Sequence, residues 1–303
     1  MIVVIVGPTA IGKTRLGVEV AKAFKTEVIS GDSMQVYRQL DIGTAKVTEK
    51  EAAGIPHHMI DIINYDEPFS VAKYQKTVRK LVDQQAQQNK LPLIVGGTGF
   101  YIKTVLHDFE FDHQPRDENF ASRFDHLDNA TVYAKLEALD KAAAQKVHKN
   151  NRKRVLRQLE MAMQGEKPSQ KTGQDKAIYD YIIVGLTCNR KMLHQRIDER
   201  VDIMVQNGLV EEAYNLYQKV PNAQSGEGIG YKELFSYFEG RFSLQSAIET
   251  IKRNTRRFAK RQYTYFNNQF EVEWFHVDRD DFDDITKQVV QFIQSNIDKK
   301  HLG

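Results

Sequence analysis

Residues 2 to 14 read Ile2-Val3-Val4-Ile5-Val6-Gly7-Pro8-Thr9-Ala10-Ile11-Gly12-Lys13-Thr14, an apolar run followed at once by G-x-x-x-x-G-K-T. This order predicts a buried strand, a turn whose backbone N–H groups wrap anionic oxygens, and a helix whose positive end faces them. The whole loop is therefore read as phosphate-binding. Gly7 and Gly12 allow the tight turn, and Pro8, Thr9, Ala10 and Ile11 supply its backbone. Lys13 reaches the terminal phosphate as a point charge, and Thr14 offers its hydroxyl to a magnesium ion, Mg2+. The loop alone leaves open whether the phosphate belongs to a nucleotide or to another ligand.

Outward from the loop, apolar strands alternate with helical stretches, the pattern of an α/β fold with a parallel sheet flanked by helices. Strands are expected at 2–6, 27–30, 92–95 and 181–186, and helices at 14–24, 71–88, 191–205, 210–219, 244–266 and 282–297. From about 115 to 173 the sequence turns charged and alanine-rich, with helical spacing at 131–137 and 154–163, until Gly165, Pro168 and Gly173 break it. The expected organisation is a P-loop NTPase-like core, residues 1–114 and 174–303, interrupted by an all-helical insertion domain, 115–173. Asp32, Ser33 and Gly96-Gly97-Thr98-Gly99 then follow strand ends, where α/β sheets hold their ligands.

The chain has 303 residues, a net charge of +3 and one cysteine, Cys188, which excludes an internal disulfide and a cysteine-rich zinc module. No apolar run approaches bilayer length, and the first one reads as a strand rather than a signal peptide, so a cytoplasmic enzyme is expected. Charge is unevenly spread. Residues 252–261 hold six basic side chains and no acid, and Lys149, Arg152, Lys153, Arg154 and Arg157 form a second basic group. A charge run is commonly a solvated face, but two in one chain point to a polyanion longer than a mononucleotide.

The segments Asp32-Ser33-Met34-Gln35-Val36-Tyr37, Asp41-Ile42-Gly43-Thr44-Ala45-Lys46 and Gly96-Gly97-Thr98-Gly99-Phe100-Tyr101, taken with the phosphate loop, resemble those of the tRNA dimethylallyltransferases (tRNA isopentenyltransferases). Further blocks follow in family order at Pro56-His57-His58, Asn151-Arg152-x-Arg154-Val155-x-Arg157, Ile229-Gly230-Tyr231-Lys232-Glu233 and Ala259-Lys260-Arg261-Gln262. Two departures are mild: Val47 stands where the family commonly has proline, and Tyr265 where it commonly has tryptophan. The resemblance implies transfer of a dimethylallyl group from dimethylallyl diphosphate to the exocyclic amine of adenine at tRNA position 37. It also implies docking of the anticodon stem-loop. No protein partner is evident, and a monomer is expected.

Such chemistry needs a neutralised leaving group, a base and a dry channel. Lys13 and magnesium serve the first, and Thr98 is placed to donate to the bridging oxygen. Asp32 is the candidate base, the alternative being a capping or Asx-turn aspartate. Contacts to tRNA are expected from Asp32, Ser33, Met34, Gln35 and Thr98 around the adenine. Others are expected from Lys153, Arg154, Val155, Leu156 and Arg157, from Arg253, Arg257, Lys260 and Arg261 with Tyr263 and Tyr265 interleaved, and, by alignment, from Arg123. Of Arg190, Arg196 and Arg200, one is a candidate diphosphate clamp, with surface ion pairing the commoner outcome. His57-His58 is not read as a metal site. An ATP-dependent P-loop small-molecule kinase remains the alternative, since it shares the loop and the aspartate after the second strand.

Overall fold

The computed structural model describes residues 1–111, 117, 119–170 and 176–301. It divides into two compact units, Met1–Leu106 with Ala177–Gly303, and His107–Lys176. The second is the interrupting segment, beginning at 107 and ending at 176 where the sequence suggested 115 and 173.

In the first unit the chain runs β1 (Ile2–Val6), α1 (Lys13–Ala23), β2 (Val28–Ser30), α2 (Glu49–Ala52), β3 (His57–His58), α3 (Val71–Gln87), β4 (Leu93–Val95) and α4 (Gly99–Leu106). The strands form one sheet in the order β3-β2-β4-β1-β5-β6, parallel throughout among the described residues. At its centre Val4 of β1 faces Ile94 of β4 and Ile183 of β5.

All five residues of β1 are buried because helices cover both faces, which is why the strand is continuously apolar rather than alternating. Successive side chains still part company. Ile2, Val4 and Val6 pack with Tyr74, Val78 and Ile102 of α3 and α4, while Val3 and Ile5 pack with Leu16 and Val20 of α1.

The second unit holds α5 (Asn129–Leu139), α6 (Lys141–Gln145) and α7 (Arg152–Met163), started by Asp128, Asp140 and Asn151, whose side chains accept the N–H groups of Thr131, Ala143 and Arg154. Its core is Phe120, Phe124, Val132, Leu136, Val155 and Leu159.

The first unit resumes with β5 (Tyr181–Thr187), α8 (Arg190–Gln206), α9 (Leu209–Lys219), α10 (Tyr231–Phe238), α11 (Leu244–Gln269), β6 (Glu273–His276) and α12 (Phe282–His301). Six elements lie outside the ranges expected from sequence, among them the short α2 and α6. The two-residue β3 and the edge strand β6 are too short to show a period. Helix α4 starts inside a glycine-rich turn, and α10 is a single aromatic-rich stretch of eight residues. No described helix is long and apolar enough to cross a membrane.

Candidate active site

Most helices here are capped by a side chain; α1 is not. Ser70, Asn189 and Ser243 cap α3, α8 and α11, whereas α1 follows Gly12 at φ 106° with no side-chain acceptor. Its first N–H groups therefore lack a partner from the cap, which suits an anion. Gly7 is required for space as well as conformation, since a Cβ there would lie 2.8 Å from the carbonyl oxygen of Leu186 at φ 148°. Lys13 Nζ donates to the Pro8 carbonyl at 2.7 Å across the loop. Burial, joined by the charge of Arg200 and opposed by Asp32, pushes the Lys13 ammonium down to about 7. An anion in the cradle reverses that cost by supplying the missing counter-charge.

Asp32 sits just past the end of β2. Its Oδ1 accepts the N–H of Met34 at 2.8 Å and of Gln35 at 3.4 Å, an Asx turn that fixes the carboxylate. Among the described residues Oδ2 takes no hydrogen bond. The two readings of Asp32 are thus compatible, one oxygen shaping the turn and the other available for chemistry. Thr98 lies alongside: its Oγ1 accepts the Ser33 N–H at 3.2 Å, and its own N–H reaches the Gly31 carbonyl at 3.1 Å. Gln35 turns inward. Its Nε2 donates to the carbonyls of Thr44 and Ala45 at 3.2 and 3.3 Å while its Oε1 accepts from the Ser30 hydroxyl at 2.9 Å, so its amide braces the 41–46 loop.

Thr9, Asp32, Ser33, Met34 and Thr98 open on one cavity of about 330 Å³, completed by Gly43, Thr44, Ala45, Arg200, Tyr231 and Arg261. Val201, Met204, Leu209, Ile229, Ile251 and Phe258 add apolar surface to its walls, beside the polar Glu227, Lys232 and Thr255. Arg200 is the member of its arginine trio that faces the site. Burial lowers its pKa, opposed by the charges of Asp32 and Glu51.

The wall formed by the 41–46 loop is held by a residue that sequence reading passed over. Glu212 of α9 accepts the N–H of Asp41 and Ile42 on Oε2, at 2.7 and 2.8 Å, and that of Gly43 on Oε1 at 2.9 Å. Three consecutive N–H groups converging on one carboxylate form an anion nest filled from within the chain. Lys46, its side chain 5 % exposed, closes the loop from the other side onto Asp41 and Asp61. Gln262 of α11, which the sequence showed only as part of a family block without a role, is bonded to both Thr9 and Gly97. A glutamate within a helical run and a glutamine after two basic residues carry no signal of these roles in a single sequence.

The basic run of α11 divides by face. Lys252 pairs with Asp202 at 2.7 Å and Arg256 with Asp198, joining α11 to α8. Arg253, Arg257, Lys260 and Arg261 are exposed and meet no carboxylate among the described residues. Tyr263 is taken up inside the fold, bonded to the Thr187 hydroxyl at 2.8 Å and against Trp274, and Tyr265 fills the space above Gly99.

In the interrupting unit, Lys153 and Arg154 are exposed, whereas Arg157 pairs with Glu160 at 2.8 Å and Arg152 with Asn129 and the Phe124 carbonyl. Val155 and Leu156 belong to that unit's core, so their side chains serve packing rather than contact with a ligand. Arg123 is exposed and paired with Asp117. His58 bonds Glu27 and His57 the Ile55 carbonyl, and no cluster of three metal-ligating side chains occurs among the described residues.

The sequence pattern of the family described as IPP transferase matches residues 35–269. A curated relative from Bacillus cereus (strain AH187), "tRNA dimethylallyltransferase", is 44 % identical over 99 % of this chain and 96 % of its own, and one of the same name from Bacillus anthracis is equally similar. Among solved structures, the full-length tRNA isopentenylpyrophosphate transferase from Bacillus halodurans is 42 % identical, with a TM-score of 0.77 over 99 % of this chain and 97 % of that one. The corresponding enzyme from Staphylococcus epidermidis is 40 % identical with a TM-score of 0.73, covering 99 % of both chains. A eukaryotic dimethylallyltransferase solved acting on tRNA is 28 % identical with a TM-score of 0.77 over 90 % of this chain and 73 % of its own. With a matching pattern over most of its length and relatives aligned end to end, the chain belongs to the IPP transferase family.

Proposed function

We propose that this chain transfers the dimethylallyl group of dimethylallyl diphosphate to the exocyclic amine of adenine at tRNA position 37, releasing diphosphate. The observation that carries this is the cavity itself. A phosphate-loop residue, a carboxylate, a threonine hydroxyl and an arginine share one space with a group of apolar side chains, Val201, Met204, Leu209, Ile229, Ile251 and Phe258. An anionic head and a hydrocarbon tail both find a matching surface there.

The diphosphate is held by the loop N–H groups, by Lys13 and by Arg200, which offset charge as it develops on the departing oxygen. Thr98 donates its hydroxyl to the oxygen bridging carbon and phosphorus. The adenine amine attacks the first carbon of the prenyl group, the carbon–oxygen bond breaks toward diphosphate, and Asp32 takes the amine proton through Oδ2. The apolar walls exclude water, which would otherwise capture the prenyl carbon.

The donor set suits magnesium. Thr14 presents an exposed hydroxyl at the start of α1, and few protein ligands are needed where phosphate oxygens and waters complete an octahedron. Bound there, the ion would neutralise diphosphate charge.

An adenine in a stacked anticodon loop has to be swung out, at a cost of a few kcal/mol. Arg253, Arg257, Lys260 and Arg261 supply backbone contacts that offset it, with Lys153 and Arg154 of the interrupting unit as a further phosphate-reading group. Work on tRNA implies a cytoplasmic protein, and the reading requires only one copy of the chain. A small-molecule kinase accounts for the loop and Asp32 but leaves the exposed basic stripe and the apolar walls without purpose.

The test supplies purified protein and magnesium with unmodified tRNA and either labelled dimethylallyl diphosphate or γ-labelled ATP. Label is expected in tRNA from the prenyl donor alone; phosphate transfer without prenylation overturns the reading.

A further inference from the structure

A single buried amide joins the two sides of the reacting centre. Gln262 is 5 % exposed; its Oε1 accepts the Thr9 N–H at 3.1 Å, and its Nε2 donates to the Gly97 carbonyl at 3.0 Å. The partners fix which end is oxygen, since a backbone N–H only donates and a carbonyl only accepts. Contact is close enough to dictate the neighbouring sequence: a Cβ at Gly97 would lie 2.1 Å from Gln262 Nε2, and one at Gly99 2.2 Å from the ring of Tyr265. These glycines, which from sequence suggest close approach to a ligand, make room for α11.

From Gly97 the chain of bonds continues. Thr98 N–H meets the Gly31 carbonyl, and Thr98 Oγ1 takes the N–H of Ser33, the residue after Asp32. One hydrogen-bonded path therefore runs from the phosphate loop through Gln262 to the turn that carries the base.

We propose that Gln262 is a positioning residue for group transfer, its amide setting the separation between the loop that grips the diphosphate and the turns that present Thr98 and Asp32. The inference rests on the prenyl-transfer reading above. Methionine fills a similar volume and makes neither bond. Glutamate keeps the acceptor for Thr9 but sets an oxygen against the Gly97 carbonyl. A misplacement of about 1 Å between donor and acceptor costs on the order of 100-fold in rate.

The experiment measures single-turnover prenylation of an unmodified tRNA transcript by excess full-length Gln262→Met, saturated with magnesium dimethylallyl diphosphate. Under those conditions the rate does not depend on the fraction of protein that is folded. The expected result is a rate on the order of 100-fold below that of the unaltered chain, with tRNA affinity by filter binding within about twofold, because the basic stripe is untouched. Gln262→Glu is expected to be slowed in the same direction. A rate near that of the unaltered chain, with loss confined to the melting temperature, overturns the inference; so does tRNA affinity falling in step with the rate. If the methionine variant does not fold, the glutamate variant carries the same measurement, and failure of both to fold makes the amide structural and ends the proposal. Should the unaltered chain not prenylate tRNA, the functional reading fails instead. Calorimetry with magnesium and inorganic diphosphate then tests the tie to the phosphate loop: weaker binding by Gln262→Met supports it, and equal binding removes it.

Discussion

The Tyr231 hydroxyl donates to Glu212 Oε1 at 2.7 Å, on the same carboxylate that receives the N–H groups of Asp41, Ile42 and Gly43. Burial and the adjacent Glu212 charge push the Tyr231 phenol far above its ordinary pKa, so it remains a donor at any working pH. Hydrogen bonds to a charged acceptor contribute about 1.5–3 kcal/mol each, and removal of a shared acceptor strands several donors together. Glu212→Ala should therefore destabilise the chain by about 3 kcal/mol or more and raise KM by loosening the Gly43–Ala45 wall. Tyr231→Phe, which removes one bond of the four and leaves the carboxylate its other three donors, should cost about 1.5 kcal/mol. Chemical denaturation and steady-state kinetics on the two variants check the ordering; equal effects would contradict the nest.

Asp32→Asn keeps an oxygen able to accept the Met34 and Gln35 N–H groups but removes the carboxylate proposed as the base. The melting temperature should stay close to that of the unaltered chain while the single-turnover rate falls by about 10²–10⁴-fold. Asp32→Ala loses the Asx turn as well and should melt lower. An asparagine variant with unchanged rate would leave Asp32 as a turn residue only.

Glu27 ties the edge strand to the sheet: Lys90 Nζ lies 2.5 Å from Oε1, and His58 Nε2 2.7 Å from Oε2. The Lys90 hydrogen bond, then that of His58, holds the Glu27 carboxyl below its ordinary value. A carboxylate depressed in the folded state contributes stability above its unfolded pKa, about 4.3, and loses it as pH falls through the folded value. Glu27→Gln should thus be less stable than the unaltered chain by about 1 kcal/mol at neutral pH. The gap should close on acidification below about pH 4. Urea titrations at pH 7 and under acid conditions measure it; a gap that persists in acid contradicts the assignment.

Two faces of α11 should respond differently to neutralisation. Arg253→Gln with Arg257→Gln should weaken tRNA binding and flatten its dependence on salt by roughly one counterion for each phosphate left unneutralised, with little change in stability. Lys252→Ala, which removes the partner of Asp202, should lower stability and leave that slope unchanged. Filter binding across a salt series together with thermal melting separates the two.

The interrupting unit offers a parallel contrast. Glu160 is almost wholly buried, its side chain 2 % exposed, paired with Arg157 and bonded to the Asp117 N–H at 2.8 Å. Arg157→Ala leaves a buried charge without its partner and should cost about 3 kcal/mol, whereas Arg154→Ala, at an exposed position, should reduce tRNA affinity alone. If Arg157→Ala melts like the unaltered chain, the Glu160 pair contributes little.

Local pattern was enough to locate what the chemistry begins from. A continuously apolar strand before G-x-x-x-x-G-K-T dictates a strand, an anion-binding turn and a helix, because all three depend on residues adjacent in the chain. The same holds for Asp32 and Thr98 at strand ends; the alanine-rich interruption was also visible, but its unit begins at 107 rather than 115. Packing between distant segments decided the rest. Which arginine of 190, 196 and 200 faces the cavity, which half of the α11 basic run is exposed, and that Gln35 and Tyr263 turn into the fold are set by neighbours across the sheet. Glu212 and Gln262 stand at least 169 and 165 positions from the backbone groups they hold, so no window of sequence contains both partners. A periodicity reports which face of an element is buried, but only the tertiary structure states what that face is buried against.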